Sequence, residues 1–254
     1  MRTMPDAQAH TAPELWQHLS SRTRGWMAAH IVAVIAGGLA LDRLFGWTGQ
    51  HVATLWTVAV FAGLMRVGRP IERRALMICT ALAGTGEAVL SLGWGIYDYQ
   101  FGNLPLFVPP GHALLMTLGV LARPFVTPRH VAGIAAGAAA WAAWVAWRGT
   151  DQFGAVLALL FLACAALSRG RDLYAAMLLL ALAMELYGTA LGNWTWRAVV
   201  PGTGWHAANP PFAAGAFYAL LDLLVLALVT PRAREPEAPL TRSVDVPTPI
   251  GVRS

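Results

Sequence analysis

EAVLSLGWGIYDYQFGNLPLFVPP, residues 87–110, and ELYGTALGNWTWRAVVPGTGWHAANPP, residues 185–211, are two versions of one passage. Each version begins with a glutamate inside an apolar segment and leaves that segment through glycine and aromatic residues. A loop rich in proline, glycine and asparagine follows, and a double proline opens the next apolar segment. The similarity predicts that two parts of the chain share one local structure.

The composition places the chain among membrane proteins. Of its 254 residues, 57% are hydrophobic and only 12% are charged, whereas soluble domains carry about 25% charged residues. All 18 basic residues are arginines, which excludes chemistry that needs a lysine Schiff base, including retinal binding. The two cysteines, Cys79 and Cys164, lie in apolar segments and indicate no disulfide framework.

Eight apolar segments predict an all-α, polytopic membrane protein with about eight transmembrane helices, since about 20 helical residues cross a bilayer. We interpret the first segment as an uncleaved anchor because no cleavage site follows it. The segments are residues 26–41, 51–65, 75–96, 108–122, 131–147, 154–167, 173–191 and 212–229.

The arginines give a test of this topology that does not depend on hydropathy. Only Arg43, Arg148 and Arg197 fall in the predicted outer loops, and the other 15 of the 18 fall in the predicted inner segments. Cytoplasmic loops of membrane proteins carry such an excess of positive charge. We therefore predict a multi-pass protein of the plasma (inner) membrane, with both termini in the cytoplasm.

The repeated passage suggests an internal duplication of four plus four helices. Both versions then lie on the outer side, because an even number of spans per half makes the two halves parallel repeats. The predicted organisation is a cytoplasmic tail at 1–25, a first half at 26–122, a second half at 123–230 and a disordered cytoplasmic tail at 231–254.

Three acidic residues inside apolar segments are the candidate catalytic residues: Glu87, Glu185 and Asp222. An ionisable side chain at membrane depth is costly, and it almost always faces the protein interior or a wet cavity. An acid shielded in this way can donate a proton in catalysis. The alternative is a structural hydrogen bond between helices, for example from the indole of Trp194 or Trp196 to Glu87.

The exits of the two versions supply candidate substrate-binding residues, because aromatic rings at a cavity mouth hold hydrophobic ligands and stabilise cations. The alternative for the rings is an interfacial aromatic belt. The candidates are Trp94, Tyr97, Asp98, Tyr99, Asn103, His112, Trp194, Trp196, His206 and Asn209. The prolines at 109–110 and 210–211 predict two helix starts beside the two glutamates, since proline is favoured in a first helical turn.

We expect no metal and no cofactor. The histidines and acids show no short spacing typical of a metal site, and a haem held between His30 and His130 is the weaker interpretation of two interfacial histidines. No glycine-rich phosphate loop, zincin motif or nucleophile elbow is present. The expected partners are membrane lipids and a hydrophobic small molecule, and we expect no binding to nucleic acid.

The glutamate in an apolar segment, the aromatic exit and the proline-started helix together resemble the membrane proteins of carotenoid biosynthesis. That group includes hydratases that add water across a terminal isoprenoid double bond. A looser similarity exists to the compact integral-membrane terpene cyclases, which use buried acids to protonate a polyene or an epoxide. The resemblance spans Glu87 to His112 and Glu185 to Pro211, and it implies acid–base chemistry on an isoprenoid.

Three functional hypotheses stay open at this point. In the first, the chain is an intramembrane enzyme of the hydratase, cyclase or isomerase type. One of Glu87 and Glu185 is then the general acid and the other the base or the water-positioning group. Asp222 is an auxiliary acid, and Trp94, Tyr97 and Trp194 form the wall that faces the cation.

The other two hypotheses involve no reaction. The chain is either a transporter with the acids as a proton or cation site, or a scaffold in which the acids are structural. The duplication motivates the transporter, because internal repeats are common in transport proteins.

Overall fold

A computed structural model describes residues 14–168 and 170–230, and most of these residues are helical. The predicted tails therefore lie largely outside the described residues. In chain order, the elements are α1 (Ser21–Val67), α2 (Pro70–Glu87), a π-helix (Ala88–Trp94), β1 (Tyr97–Tyr99), α3 (Val108–Ala122), a 3-10 turn (Arg123–Phe125), α4 (Pro128–Arg148), α5 (Gln152–Leu167), α6 (Arg171–Leu191), β2 (Trp194–Trp196) and α7 (Gly215–Val229).

Four helical stretches of the described chain are long and apolar enough to cross a membrane: Ser21–Val67, Pro70–Trp94, Pro128–Arg148 and Arg171–Leu191. This agrees with the predicted class of a helical membrane protein. The expected count of about eight spans and the four-plus-four duplication are not supported. Two predicted segments, 26–41 and 51–65, fall in the single element α1, and α3, α5 and α7 have only 15, 16 and 15 residues.

The helix α1 changes direction at Gly46, which has a non-helical φ of 57° and ψ of −136°. The two parts of α1 then pack against each other. A Cβ atom built on Gly38 would lie 3.5 Å from the Cβ of Ala53, and one on Gly37 would lie 2.8 Å from the ring of Trp56. A positive φ favours glycine, so Gly46 is the residue that permits this reversal.

The segment before α1 packs against the start of α2. Trp16 is 1% exposed, and its backbone N–H donates to Oε1 of Glu72 at 2.6 Å. Glu72 is fully buried and also accepts from the backbone N–H of Arg69 at 2.6 Å. Residues 14–20, which were predicted to belong to a tail, are therefore attached to the helical bundle.

Two three-residue strands, β1 and β2, join the two versions of the repeated passage. They pair antiparallel, with Tyr97 opposite Trp196, Asp98 opposite Thr195 and Tyr99 opposite Trp194. Residues of this ribbon and of α1, α2, α3, α6 and α7 enclose one cavity. The helix α4 packs against α5 and α6, and α5 also packs against α6 and α7.

The two double prolines have different structures. The first lies in the first turn of α3, as the sequence predicted. The second does not start a helix, because α7 begins only at Gly215. The buried carboxylate of Asp151 instead accepts from the backbone N–H of Phe212 at 2.8 Å and of Ala208 at 3.0 Å. This carboxylate holds the chain around Pro210 in a loop.

Candidate functional site

The ribbon of β1 and β2 covers a cavity of about 440 Å³ that lies among α1, α2, α3, α6 and α7. Its volume falls within the range of roughly 300–1,000 Å³ for small-molecule sites. Most of the wall is apolar, with residues such as Leu39, Leu115 and Leu221. Glu87 and Glu185 both line this one cavity, so the two acids of the repeated passage face a shared space.

Glu87, the last residue of α2, is 8% exposed, and hydrogen bonds occupy both of its carboxylate oxygens. Oε2 accepts from the hydroxyl of Tyr97 at 2.6 Å and from the hydroxyl of Tyr99 at 2.7 Å. Oε1 lies 2.9 Å from Nε2 of His112. The π-helix that follows Glu87 is a rare element that is frequent at functional sites.

Glu185, on α6, is 5% exposed and has indole partners instead. Oε2 accepts from Nε1–H of Trp194 at 2.8 Å and from Nε1–H of Trp196 at 3.0 Å. Neither indole donates to Oε1. The sequence-based alternative of an indole donating to Glu87 was therefore wrong, because the tryptophans donate to the glutamate of their own version.

The ribbon explains why the two versions have the same arrangement. In each strand the first and third side chains are buried and the middle one is exposed, because successive residues of a strand point to opposite faces. The first and third residues of β1 donate to Glu87, and those of β2 donate to Glu185. The spacing of the aromatic pair therefore fixes two donors on each acid.

Burial raises the pKa of Tyr97 and Tyr99 well above the usual value of a tyrosine, and the negative charge of Glu87 beside them raises it further. Both hydroxyls therefore keep their protons over the ordinary range of pH. They serve as hydrogen-bond donors to Glu87 and not as bases.

His112, on α3, connects Glu87 to α7. Its ring stacks on the ring of Tyr218, with centroids 4.6 Å apart and planes 10° from parallel. Its Nδ1 is buried and has no hydrogen-bond partner among the described residues. Tyr218 also lines the cavity, and its hydroxyl lies near the carboxyl group of Glu185. The sequence analysis missed Tyr218, although its spacing of four from Asp222 places the two on one face of a helix.

Asp222 is fully buried, and neither of its carboxyl oxygens has a hydrogen-bond partner in the described part of the chain. It lies one helical turn after Tyr218 but does not line the cavity with Glu87 and Glu185. A buried carboxyl group without a partner is unusual, because such groups are costly to desolvate. The structure therefore separates Asp222 from the other two candidate acids.

The cavity wall contains five of the predicted substrate-binding residues: Tyr97, Tyr99, His112, Trp194 and Trp196. The other five do not line it.

Trp94, Asp98 and His206 lie on the exposed surface. The indole of Trp94 donates to the backbone oxygen of Pro201 at 2.9 Å. Asp98 forms an exposed ion pair with Arg197 at 2.9 Å, and His206 is exposed on the loop before Asn209.

Asn209 supports the ribbon from outside the cavity, since its Oδ1 accepts from the backbone N–H of Trp196 at 2.9 Å.

Asn103 belongs to a second polar cluster, which the sequence analysis also missed. Its centre is the buried carboxylate of Asp42, which accepts from Gln50 at 3.1 Å, Gln100 at 2.8 Å and Asn193 at 2.7 Å. Asn103 donates to Gln50 at 2.8 Å. The cluster ties the bend of α1 to the loops beside β1 and β2, so it positions the cover of the cavity.

No group of three or more histidine, cysteine, aspartate or glutamate residues suited to a metal ion occurs within residues 14–168 and 170–230. No protein-family model, curated protein or solved structure matches this chain.

Proposed function

We propose that this protein is an intramembrane acid–base enzyme that acts on a hydrophobic, isoprenoid-like or other lipid substrate. The observation that carries the proposal is the pair of buried carboxyl groups, Glu87 and Glu185, on one apolar cavity. An apolar pocket with a few convergent polar groups is the usual form of a small-molecule site. Two acids in different surroundings are a recurrent arrangement for acid and base roles.

Glu185 is the proposed general acid. Its Oε2 is held by two indole N–H groups, so the carboxyl group has a fixed orientation and its other oxygen is available to carry a proton. Transfer of that proton to one carbon of an isolated double bond leaves a cation on the adjacent carbon. Positioned proton transfer of this kind contributes roughly 10²–10⁴-fold to a rate.

Glu87 and His112 form the proposed base. Both oxygens of Glu87 are engaged, and one of them orients His112. A water that attacks the cation then gives one proton to this pair, so that the net reaction is addition of water. If the cation itself loses a neighbouring proton to the pair, the net reaction is isomerisation of the double bond.

The rings around the acids form the wall for the cation. Tyr97, Tyr99, Trp194 and Trp196 all line the cavity, and aromatic faces attract cations. Trp94, which the sequence placed in this wall, has no part in it here because it lies on the exposed surface.

The proposal includes a membrane topology of about eight crossings in two parallel halves. This number comes from the eight apolar segments of the sequence, since about 20 helical residues cross a bilayer. We keep this topology as part of the proposal for two reasons: each part of α1 can cross separately after the reversal at Gly46, and Glu87 and Glu185 have equivalent donors. The arginine distribution favours cytoplasmic termini in a plasma (inner) membrane.

The second candidate function is proton- or cation-linked transport. One observation favours it: Asp222 is a third buried acid, outside the cavity and without a partner among the described residues. Ionisable residues in membrane segments often mark ion or proton pathways. Uptake into proteoliposomes that depends on a proton or cation gradient would favour transport over catalysis.

A scaffold is the third hypothesis. It predicts that the glutamine variants of Glu87 and Glu185 lose stability without a separate functional defect.

The test of the enzyme proposal compares lipid extracts by mass spectrometry from cells that make the wild type, Glu185→Gln or Asp98→Asn. Asp98 is the matched control, because it is an exposed acid on the same ribbon and does not line the cavity. We expect a changed lipid species with the wild type and the control, and none with Glu185→Gln at equal protein level. The same changed species with all three proteins would contradict the proposal.

A further inference from the structure

Three residues of the cavity wall are exposed. Leu224 belongs to α7, whereas Thr85 and Val89 belong to the α2 side, where Val89 is 56% exposed. Thr85 and Val89 also line a shallow groove on the outer surface of α2 and the π-helix, which extends from Thr80 to Trp94. The groove and the cavity therefore share the edge formed by these two residues, which is the candidate opening.

The opening lies within a segment that is suited to cross a membrane. Pro70–Trp94 has 25 residues and is one of the four apolar stretches, and Thr85 and Val89 lie in its second half. No charged residue lines the groove. A surface of this kind, at the depth of the hydrocarbon, contacts lipid chains and not water.

The volume of the cavity and the length of the groove favour a ligand that occupies both. A volume of about 440 Å³ is in the lower half of the range for ligand sites. Thr80 to Trp94 covers about 20 Å of helix at 1.5 Å per residue. A linear lipid too long for the cavity can keep its reactive end beside the acids and extend its chain along this groove.

We propose that the ligand is a long, linear apolar chain that enters sideways from the bilayer between Thr85 and Val89. Its reactive end lies in the cavity and the rest of the chain lies in the groove from Thr80 to Trp94. The inference rests on the proposed function because it takes this ligand to be the substrate of the enzyme. Binding of the ligand does not depend on the roles proposed for Glu87 and Glu185.

Two photoreactive probes test the opening with the full chain in lipid nanodiscs. They are a ten-carbon and a twenty-carbon prenyl alcohol, each with a diazirine at the hydroxyl end, opposite the terminal double bond that lies in the cavity, and the labelled residues are identified by mass spectrometry. We expect the long probe to label groove residues that do not line the cavity, such as Thr80, Ala88 and Trp94, and the short probe to label α3, α6 and α7.

Val89→Trp should block the opening and reduce labelling of 80–94 by the long probe about tenfold, which corresponds to about 1.4 kcal/mol. Val156→Trp is the matched control, since Val156 is an exposed valine on α5 that lines neither cavity nor groove. Thr85→Phe serves as a second blocking variant, and thermal unfolding of all variants checks that they fold.

Equal labelling of α2 and α5 by the long probe, or labelling that folded Val89→Trp and Thr85→Phe leave unchanged, would overturn the inference. A different outcome would show that the enzyme proposal fails. In that case Glu185→Gln retains turnover, while the long probe still labels residues 80–94 in the wild type.

Discussion

The two versions of the repeated passage have the same backbone arrangement and different chemistry. In the first, two tyrosine hydroxyls and a histidine surround Glu87. In the second, two tryptophan indoles hold Glu185. Indole N–H groups only donate, whereas histidine can both accept and release a proton. The first site is therefore suited to receive a proton, and the second to orient an acid that gives one away.

The largest expected effect is on turnover, at the second site. Glu185→Gln keeps the size of the side chain and an acceptor for the indoles, but it removes the transferable proton. We expect turnover to fall by roughly 100-fold or more, with thermal unfolding close to that of the wild type. Normal turnover in the folded variant would remove the distinction between the two sites.

Gly188→Ala tests how tightly the second site holds its rings. A Cβ atom on Gly188 would lie 2.0 Å from the ring of Trp194, so the indole must leave its place beside Glu185. We expect a loss of about 1–3 kcal/mol in unfolding free energy, as in other overpacked sites, together with altered tryptophan fluorescence.

Gly137→Ala is the control for this effect, because a Cβ atom there meets nothing within 4 Å. Since alanine favours a helix more than glycine does, this variant should be neutral or slightly more stable. Equal behaviour of the two alanine variants would mean that the ring of Trp194 is not fixed.

Alkaline pH should weaken the first site. The pKa values of Tyr97 and Tyr99 are raised in the folded protein, so the stability they contribute is complete below about pH 10, the unfolded pKa. It is lost as the pH rises above that value, by about 1.4 kcal/mol per pH unit for each tyrosine.

Unfolding measured from pH 9 to 11 checks this dependence, and the absence of lysine simplifies the titration. Tyr97→Phe should reduce the slope, and a slope that the variant leaves unchanged would contradict the assignment.

The smallest effect is expected at the exposed face of the ribbon, between the two sites. Asp98 and Arg197 form an ion pair with both side chains about half exposed. Exposed pairs contribute about 0–1 kcal/mol, so Asp98→Asn should change unfolding and turnover very little. A large loss of turnover would mean that this ion pair supports the cavity.

The acids could be predicted from the sequence, because an ionisable residue in an apolar segment is conspicuous and the repeated spacing links Glu87 to Glu185. Tyr97, Tyr99, Trp194 and Trp196 could be named for the same reason. Their partners could not be assigned, because the pairing of β1 with β2 joins residues almost 100 positions apart.

Other features depend on tertiary contacts that leave no local pattern. The sequence predicted a break between segments 26–41 and 51–65, but not that helix would continue on both sides of a reversal at Gly46. Tyr218 becomes a site residue only because α7 packs beside α3, where its ring meets His112. Trp94, the last residue of the π-helix, is exposed because its indole donates to the backbone oxygen of Pro201, 107 positions later, and not into the cavity.

Incorporation of deuterium from D₂O tests the proton transfer most directly. Purified protein is incubated in D₂O with a lipid extract from cells that lack it, and the lipids are analysed by mass spectrometry. We predict a lipid with one new carbon-bound deuterium for the wild type and for Asp98→Asn, and none for Glu185→Gln. Wild-type protein that adds no deuterium to any lipid, or Glu185→Gln that adds as much as the wild type, would contradict the assignment of Glu185 as the acid.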